Sequence, residues 1–301
     1  MSVKHNIVSV SGGKDSTALL LLAIERQTEN LQAVFADTGH EHQQTYEYVQ
    51  YLNDKVFPIR TIKADFSEQI ARKREYVKNK WPEKGVSQET IERALQVLYP
   101  TGNPFLDLCI WKGRFPSTKA RFCSEELKRN PIIEQVQIPL LDQGHTIWSW
   151  QGVRADESAA RRNLPELEEV GGGLWNYRPI LQWTAEQCFE MHKKHGIKHN
   201  PLYEQGMGRV GCMPCIHARK DELLEISKRF PDEIERVAQW EKIVSAASKR
   251  GSSTFGVGTD ISVASIHSVV EWSKTSRGGK QLDFLRMQEG PSCSSIYGLC
   301  E

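Results

Sequence analysis

The sequence predicts an α/β protein with an open parallel sheet that carries helices on both faces. Short apolar runs rich in β-branched residues recur at residues 6–10, 31–36 and 57–63, and each run has the length of a buried strand. A helical pattern separates each run from the next. Such alternation of strand and helix is typical of parallel sheets, because their crossover connections place helices over the faces.

The first half of the chain shows clear boundaries between these elements. After the first strand comes the turn signal Ser-Gly-Gly, and Asp15 or Ser16 can cap the helix that follows. The second strand leads into Asp37 and then into a helix over residues 43–53. A charged helical insert is predicted for about residues 66–98, and an irregular stretch rich in Pro, Gly and aromatic residues for 99–122.

The second half resumes the sheet pattern and ends in a cysteine-bearing extension. The predicted elements are a helix at 124–136, a strand at 146–153, a strand ending at 178–180, and helices at 184–195, 220–229 and 232–249. We divide the chain near residue 200, into a nucleotide-binding α/β domain (residues 1–200) and a C-terminal region with helices and a Gly/Ser-rich tail (residues 201–301).

Composition narrows the function classes. The net charge of +1 predicts no strong field toward nucleic acid or membrane, although local basic clusters can still contact a polyanion. No segment stays apolar over the ~18 residues that a membrane span needs. Residues 1–9 lack the apolar region of a signal peptide, so we expect a cytoplasmic protein with reduced thiols. Its seven cysteines are then expected to be metal ligands, nucleophiles or core residues rather than a disulfide framework.

The sequence Ser-Gly-Gly-Lys-Asp-Ser at residues 11–16 predicts a phosphate-binding loop. Its glycines let the backbone approach a phosphate, and amides at the N-terminus of the following helix carry positive partial charge. Lys14 adds a full charge, and the hydroxyls of Ser11 and Ser16 can donate hydrogen bonds. The alternative is a Gly-Gly turn with a serine cap, but the flanking strand and helix favour the phosphate loop. The loop lacks the spacing of the Walker motif.

Two further groups of polar residues follow predicted strands. Asp37 lies at the end of the second strand, where open α/β sheets bind their ligands, or it serves as a helix cap. Gly152 precedes Arg154, and Arg161 comes two turns later. Both arginines suit bidentate recognition of phosphate or sulfate-like oxygens, although a solvated helix start with mixed charges fits the pattern equally well.

The loop resembles the PP-loop of the ATP pyrophosphatase superfamily, whose members cleave ATP between its α and β phosphates. Further motifs resemble the phosphoadenosine phosphosulfate (PAPS) reductase family: Gly-Val-Arg-x-x-Glu-Ser-x-x-Arg at 152–161, Arg-Pro-Ile at 178–180 and Asn-Pro-Leu-Tyr at 200–203. That family includes adenylyl sulfate (APS) reductases, the small subunit of ATP-dependent sulfate adenylyltransferase, and the sulfur-transfer proteins of DNA phosphorothioation. The resemblance covers about residues 6–220.

This resemblance implies an adenine nucleotide α-hydrolase-like fold, ATP with Mg²⁺ as the bound nucleotide, and catalytic roles for Lys14 and Asp37. The nucleotide-binding residues that it implies are Ser11, Gly12, Gly13, Lys14, Asp15, Ser16, Asp37, Gly152, Arg154 and Arg161.

Three cysteines resemble the ligands of the iron–sulfur APS reductases. Cys212 and Cys215 form a Cys-x-x-Cys turn, and Cys123 stands at a helix start, where a thiolate is favoured. The resemblance implies a 4Fe-4S cluster, but Phe122 replaces one cysteine of the family's Cys-Cys pair. Cys293, Cys300 or Cys109 can supply the fourth thiolate, and Cys293 is preferred because the tail is long enough to fold back. A zinc site and a redox dithiol are the alternatives.

The remaining cysteines and the histidines have more ordinary interpretations. Cys188 is predicted to lie in the core, and Cys109 to be buried rather than ligating. Cys300, next to the C-terminal residue, resembles the nucleophile of the reductases, with a cluster ligand or an inert tail as alternatives. Five histidines have no carboxylate at metal-binding spacing, so we expect them to form a polar surface: His40, His42, His192, His195 and His199. Of these, His42 is expected near the nucleotide rim.

The preferred function is ATP-dependent sulfur transfer, in which adenylation activates an acceptor. The intact loop favours ATP itself, and residues 112–116 and 121–128 resemble the phosphorothioation branch, so DNA is a candidate acceptor and a cysteine desulfurase or another sulfur donor a candidate partner. The alternatives are an APS or PAPS reductase in which Cys300 attacks the sulfate, a sulfate adenylyltransferase subunit, and a nucleotide-gated iron–sulfur sensor or scaffold. A homo-oligomer or a multi-protein complex fits each of these functions.

Overall fold

A computed structural model describes residues 2–256 and 265–275. It contains a six-stranded sheet in the order β3-β2-β1-β4-β6-β5. The strands are β1 (Lys4–Ser9), β2 (Leu31–Asp37), β3 (Ile59–Lys63), β4 (Thr146–Trp150), β5 (Leu167–Gly171) and β6 (Leu174–Tyr177). All neighbouring strands pair in parallel except β5 and β6. The predicted fold class, a mostly parallel α/β sheet, is confirmed.

Helices surround this sheet. They are α1 (Lys14–Glu25), α2 (Gln43–Lys55), α3 (Ser67–Glu83), α4 (Gln88–Val97), α5 (Pro104–Lys112), α6 (successive turns Phe122–Ser124, Glu125–Arg129, Asn130–Ile132, Ile133–Gln137 and Ile138–Leu141), α7 (Ala159–Arg162), α8 (Ala185–Lys194), α9 (Lys220–Arg229), α10 (Pro231–Ala247) and α11 (Ile266–Ser273). Among the described residues, no helix is long and apolar enough to cross a membrane.

Alternating side chains of the central strands cover the two faces of the sheet. Val8 packs in one apolar cluster with the buried residues of α1 and with α2 and α8, whereas its neighbour Ile7 packs in another cluster with Ile132 and Val136 of α6. Successive residues of a strand point to opposite faces, so each central strand contributes to both clusters. Helices therefore lie on both faces, as the sequence predicts.

The edge of the sheet differs from the prediction. The sequence predicts one strand ending at residues 178–180, but the structure forms a hairpin in which β5 runs antiparallel to β6. Gly171, Gly172 and Gly173 have positive φ angles that allow the tight turn between these strands. The β5 sequence Leu-Glu-Glu-Val-Gly is largely exposed, so it lacks the apolar pattern of a buried strand.

The stretch 99–122 is not irregular throughout, because it contains α5. The Asn103 side chain caps this helix by accepting from the Leu106 amide, Pro104 occupies its first turn, and Gly113 ends it with φ of 65°. Helix α6 also extends beyond its predicted range, and two of its segments, Glu125–Arg129 and Ile133–Gln137, are π-helical. Such widened turns are frequent at functional sites.

A third apolar cluster joins the helical insert to the C-terminal region. It combines Val77 and Trp81 of α3 with Leu223 of α9 and Val237 of α10, together with Cys109 of α5. The residues of the predicted insert thus pack directly against residues beyond position 200. This shared core holds the C-terminal region against one end of the sheet.

Candidate nucleotide and cysteine site

The loop at residues 11–16 forms a tight turn between β1 and α1. Gly12 has φ of +82°, and a Cβ atom there would lie only 3.0 Å from Thr45 Cγ2 of α2. The Ser16 hydroxyl lies 3.0 Å from the Ser11 hydroxyl and accepts from the Ser11 amide at 3.1 Å. Gly13 is the N-cap of α1. Because glycine has no capping side chain, an anion at this helix N-terminus would meet backbone amides.

Residues from the second half of the chain close over this loop. The Lys14 amide donates to the Tyr203 hydroxyl at 2.9 Å, and the Asn200 side chain donates to the Gly12 carbonyl at 3.2 Å. Lys14 Nζ lies 3.3 Å from Asp15 Oδ2 and 5.6 Å from the centre of the Tyr203 ring. The Asn-Pro-Leu-Tyr motif therefore contacts the loop directly, and a phosphate would compete with Tyr203 for the Lys14 amide.

His192 is a buried contact of the loop, so the prediction that it belongs to a polar surface is wrong. Its Nε2 lies 2.9 Å from the Lys14 carbonyl oxygen. A carbonyl only accepts, so Nε2 carries the proton and donates. Burial is the main cause that lowers the pKa of His192, against a smaller raising effect of this hydrogen bond. The ring is therefore neutral at neutral pH.

Two predicted nucleotide-binding residues, Asp15 and Arg154, are bound to each other. Asp15 is fully buried, and its Oδ1 lies 2.9 Å from Nε of Arg154. Arg154 also donates to Asp156 at 2.7 Å, while the buried Arg161 pairs with Glu157. Gly152 brings the end of β4 against α1, since a Cβ atom on it would lie 3.5 Å from the Ser16 amide nitrogen. Carboxylates thus hold both guanidinium groups, and their binding to a nucleotide stays a prediction.

Asp37 lies at the carboxyl end of β2, beside the loop. Its Oδ2 is 2.7 Å from Lys63 Nζ, and its Oδ1 accepts from the Tyr46 hydroxyl at 2.7 Å and from the Gly39 amide at 2.8 Å. Burial, followed by the negative charge of Glu41, raises the pKa of Tyr46 far above its ordinary value. Tyr46 therefore stays protonated, and its hydroxyl lies within donating distance of the carboxylates of Asp37, at 2.7 Å, and Glu41, at 3.1 Å.

The residues that follow β2 also contact the Cys-x-x-Cys turn at residues 212–215. His40 is buried, its Nε2 lies 2.9 Å from the Pro214 carbonyl oxygen, and its own carbonyl accepts from the Met213 amide at 2.9 Å. Burial and then the charge of Arg236 lower the pKa of His40 to about 3. His42 is buried as well and caps α2. Both were expected on a polar surface, and that prediction is wrong because the C-terminal region covers them.

The cysteine turn lies against a buried carboxylate that sequence reasoning missed. Cys212 pairs with Glu41 in an isolated β-bridge, and its Sγ donates to Glu41 Oε1 at 3.8 Å. Cys215 Sγ accepts from the His217 amide at 3.5 Å. Burial is the main cause that raises the pKa of Cys212, and Glu41 adds to it. The position of Glu41 four residues after Asp37 was the only signal in the sequence.

Electrostatic effects on pKa link Cys109 with Cys123, and Cys212 with both Cys123 and Cys215. Cys215 and Cys123 both raise the pKa of Cys212, and Lys128 lowers it. Cys123 also raises the pKa of Cys109, although burial is the larger cause there. Cys109 is buried and Cys188 lies in a different apolar cluster, as the sequence predicts for both. Cys293 and Cys300 lie outside the described residues.

The metal predictions are not confirmed by the arrangement of these side chains. Within residues 2–256 and 265–275, no group of three or more His, Cys, Asp or Glu side chains is placed to hold a metal ion. The zinc site and the iron–sulfur cluster both stay predictions.

Comparison with known proteins identifies the family. The family model "Phosphoadenosine phosphosulfate reductase domain" matches residues 5–218, which include the loop at 11–16, Asp37 and the motifs at 152–161 and 200–203. The chain belongs to the PAPS reductase family. The match ends shortly after the Cys-x-x-Cys turn, so this family domain includes three of the residues implied as cluster ligands, Cys123, Cys212 and Cys215.

Similar proteins differ in their identity to this chain and in the share of it that they match. An uncharacterized 37.8 kDa protein of Escherichia phage 186 is 51% identical, covering 98% of this chain and 96% of the phage protein. A PAPS reductase of Erwinia tasmaniensis is 27% identical over 71% of this chain and 72% of that enzyme. A crystal structure of PAPS reductase from Candida auris, in a phosphate complex, covers 69% of this chain and 81% of that chain with 18% identity and a TM-score of 0.40.

Proposed function

We propose that this PAPS reductase family protein binds ATP, cleaves it to AMP and pyrophosphate, and so activates an acceptor for sulfur transfer. The supporting observation is that the complete PP-loop and the cysteine turn lie at the same rim of the sheet. The loop follows β1, and Glu41, the partner of Cys212, follows β2, the parallel neighbour of β1. A bound nucleotide and a sulfur-carrying group would therefore meet at the carboxyl ends of adjacent strands.

The loop residues suit the pyrophosphate part of ATP. Lys14 places a cation beside the N-terminus of α1, and the turn at Gly12 lets the chain approach oxygens closely. The charge that develops on the leaving pyrophosphate would be stabilised by Lys14 and the amides of the loop. APS and PAPS carry no β–γ pyrophosphate, so they would leave this part of the loop unused.

The chemistry of the transfer can be written in balanced steps. An oxygen of the acceptor attacks the α phosphorus of ATP, and pyrophosphate leaves. The terminal sulfur of a persulfide, carried on Cys300, then displaces AMP and joins the acceptor to the protein through a disulfide. A second thiol reduces this disulfide and releases the thiolated acceptor. The phosphorothioation resemblance of residues 112–116 and 121–128 makes the DNA backbone the acceptor class that we propose.

Cys123, Cys212 and Cys215 would hold a 4Fe-4S cluster in this proposal. When bound, such a cluster supplies electron transfer or Lewis-acid chemistry at its iron atoms. The His217 amide donates a hydrogen bond to the Cys215 sulfur, and Lys128 places a positive charge near Cys212. Both would stabilise the negative charge that a thiolate-ligated cluster carries. Glu41 opposes this effect, because its own negative charge raises the pKa of Cys212.

Reduction of APS or PAPS is the second candidate. It is favoured by the Erwinia tasmaniensis relative, which is named a PAPS reductase and matches 71% of this chain. In that reaction Cys300 would attack the sulfur of the adenylylated sulfate, AMP or its 3′-phosphate would leave, and a second thiol would release sulfite. The reaction consumes no ATP, which separates the two candidates.

A nucleotide panel tests the choice. Protein purified without oxygen is given ATP with duplex DNA and a persulfide donor, or APS or PAPS with a thiol reductant. We expect AMP, pyrophosphate and incorporated sulfur only with ATP. Lys14→Met should lower this turnover by roughly two orders of magnitude or more, the loss seen when a group that stabilises transition-state charge is removed. Sulfite from APS or PAPS at a rate above that of ATP cleavage would replace the proposal with the reductase.

A further inference from the structure

Helix α3 presents an exposed aromatic ring among ammonium groups. Tyr76, in the middle of this helix, is 40% exposed. Lys84 Nζ donates to the Tyr76 hydroxyl at 2.6 Å and lies 5.1 Å from the centre of the ring. Lys73 Nζ lies 5.7 Å from the same ring centre. Two cations thus lie close to a ring that solvent still reaches.

A third ammonium group comes from the C-terminal region. Lys249 follows the end of α10 at Ala247. The hydrogen bond from Lys84 is the main cause that lowers the pKa of Tyr76. The charges of Lys84, Lys73 and Lys249 lower it further, so all three cations lie near the ring. The helical insert and the C-terminal region therefore share one surface, called the Tyr76 surface here, which consists of Lys73, Tyr76, Lys84 and Lys249.

Lys73 is held in place by a second ring. Its ammonium group lies 5.9 Å from the centre of the Trp81 ring, and Trp81 is buried. Lys73 is itself partly buried, and this burial lowers its pKa. Because contacts with both rings restrict its side chain, Lys73 loses less conformational freedom on binding an anion than a fully solvated lysine does.

Nearby carboxylates do not neutralise the positive charge of the Tyr76 surface. Glu75 pairs with Lys78 at 2.7 Å, and Glu83 pairs with Lys80 at 3.0 Å. Among the described residues, the three lysines of the surface form no ion pair with a carboxylate. The surface therefore carries positive charge that a polyanion can meet, although the net charge of the whole chain is only +1.

A second exposed ring lies just beyond the insert. The guanidinium carbon of Arg74, the residue after Lys73, is 4.1 Å from the centre of the Tyr99 ring, and Tyr99 is 53% exposed. Arg74 also donates to the Leu95 carbonyl, which holds the guanidinium group in position. Adjacent residues of α3 thus each hold a cation against an exposed aromatic ring.

We propose that the Tyr76 surface binds an unpaired segment of nucleic acid. Exposed aromatic rings stack on bases, and lysines beside them pair with phosphates, which is how proteins bind single strands. A duplex hides the faces of its bases, so a ring can stack only on a base that has left the duplex. A simple anion has no planar face and would use the lysines alone.

Helix α3 places this surface beside the rim of the sheet. It begins at Ser67, shortly after β3, whose carboxyl end lies at the same edge of the sheet as those of β1 and β2. Tyr76 lies roughly 14 Å along the helix from Ser67. The Tyr76 surface would therefore hold a nucleic-acid strand next to the site proposed for ATP cleavage. The inference goes beyond that function, since this binding needs neither ATP nor a cluster.

Fluorescence anisotropy of a labelled single-stranded DNA oligonucleotide, measured without ATP, tests the role of the ring. Tyr76→Ala should raise the Kd by roughly 5–100-fold, the loss expected when one base loses its stacking partner. Tyr76→Phe keeps the ring and should bind as the unmodified protein does. Unchanged affinity in Tyr76→Ala, with the variant folded by circular dichroism, would overturn the proposal.

The salt dependence of the same binding tests the lysines. Lys84→Gln combined with Lys249→Gln removes two phosphate contacts, so the slope of log affinity against log salt concentration should become shallower by about 1.4. Lys228→Gln is the matched control, because Lys228 is 58% exposed but pairs with Glu225 in α9. We expect the control to keep the slope of the unmodified protein. An equal change in the control and the double variant would contradict a local phosphate site.

A duplex of the same sequence separates stacking from charge. We expect the duplex to bind more weakly than the single strand and to lose no affinity in Tyr76→Ala, because its bases cannot reach the ring. A duplex that binds more tightly than the single strand would make this a site for duplex DNA and overturn the assignment. Since ATP is absent, a failure of the proposed ATP cleavage leaves these results unaffected.

Discussion

Asp15 and Arg154 form a buried ion pair beside the loop at residues 11–16. The sequence predicts both as nucleotide ligands, and the structure places Asp15 Oδ1 2.9 Å from Arg154 Nε, with Asp15 fully buried. A carboxylate in this position is stable only while a cation stays beside it. The pair therefore holds Arg154 against Asp15 at the start of α1. A second carboxylate partner of Arg154, Asp156, is half exposed.

Breaking this pair should destabilise the protein. Arg154→Leu leaves Asp15 buried with Lys14 as its neighbour, and we expect a loss of about 3–5 kcal/mol in the free energy of unfolding, measured by urea denaturation. Asp15→Asn combined with Arg154→Leu removes both charges and should recover most of that loss. If the single variant loses less than about 1 kcal/mol, as an exposed pair would, the buried pair is not structural.

His192 should make stability depend on pH. Its pKa in the folded protein is below the ordinary value of 6.5, so the unfolded chain takes up a proton first as the pH falls. The contribution of neutral His192 to the free energy of unfolding is therefore present above pH 6.5 and is lost as the pH falls below it. We expect His192→Gln, which keeps an N–H donor for the Lys14 carbonyl, to show a smaller decline between about pH 7.5 and about pH 5.5.

The control is His195→Gln, because His195 is the C-cap of the same helix but pairs with Glu25 rather than with the loop. Identical pH profiles of His192→Gln and the unmodified protein would show that His192 does not couple protonation to folding. The sequence alone could not place these side chains. His192 lies in the last turn of α8 and His195 is its C-cap, and only the packing of α8 against α1 decides which of them is buried.

At the scale of elements, the loop at residues 11–16 depends on α2 as well as on its own glycines. Gly12 and Gly206 have nearly the same backbone angle, φ of +82° and +83°, but only at Gly12 do other atoms lie within 4 Å of the position that a Cβ atom would take. An alanine at either position meets the strain of the left-handed region, about 1–2 kcal/mol. At Gly12 it also meets Thr45 Cγ2 at 3.0 Å.

Gly12→Ala should therefore cost more than Gly206→Ala, by about 1–3 kcal/mol for the overpacking of α2. Thermal or urea denaturation of both variants measures the difference. Gly12→Ala should also weaken ATP binding, since the loop must shift to accommodate the methyl group. Equal losses in the two variants would mean that α2 does not constrain the loop.

The sequence predicted the strands and helices that have strong apolar periodicity, including β1, α1, β2 and α2. It missed α5, although Asn103, Pro104 and Gly113 mark the start and end of that helix, because its aromatic and apolar residues show no single apolar face. It missed β5 because that edge strand is short, polar and exposed. Local patterns do not report which partner a segment packs against, and both elements depend on their partner.

At the scale of the whole molecule, the C-terminal region completes the site. Tyr203 contacts the loop, beside Asn200 at the boundary between the two regions, and Met213 and Pro214 form hydrogen bonds with His40 after β2. The motifs 11–16, 152–161 and 200–203 were recognisable from the sequence, and the structure brings them together at one rim. Their mutual contacts, and the burial of Glu41 beside Cys212, arise only when segments more than a hundred residues apart meet.

Cys300→Ser tests how the tail contributes. Because Cys300 is the proposed persulfide carrier and not a cluster ligand, the variant should lose sulfur transfer while keeping the iron, sulfide and visible spectrum of the unmodified protein. Cys188→Ala serves as the control that removes a thiol without affecting transfer. Loss of iron in Cys300→Ser would instead make this residue a ligand, and full transfer activity would remove it from the mechanism.

The products of ATP test the central claim most directly. Anaerobic protein is incubated with duplex DNA, a persulfide donor and ATP labelled in the γ phosphate, and the labelled product is identified by chromatography, with Lys14→Met as the control. The proposed function predicts labelled pyrophosphate and an equal amount of AMP, both lost in Lys14→Met. The opposite result is that the unmodified protein forms ADP and labelled inorganic phosphate at the rate at which ATP disappears. That result would contradict cleavage between the α and β phosphates.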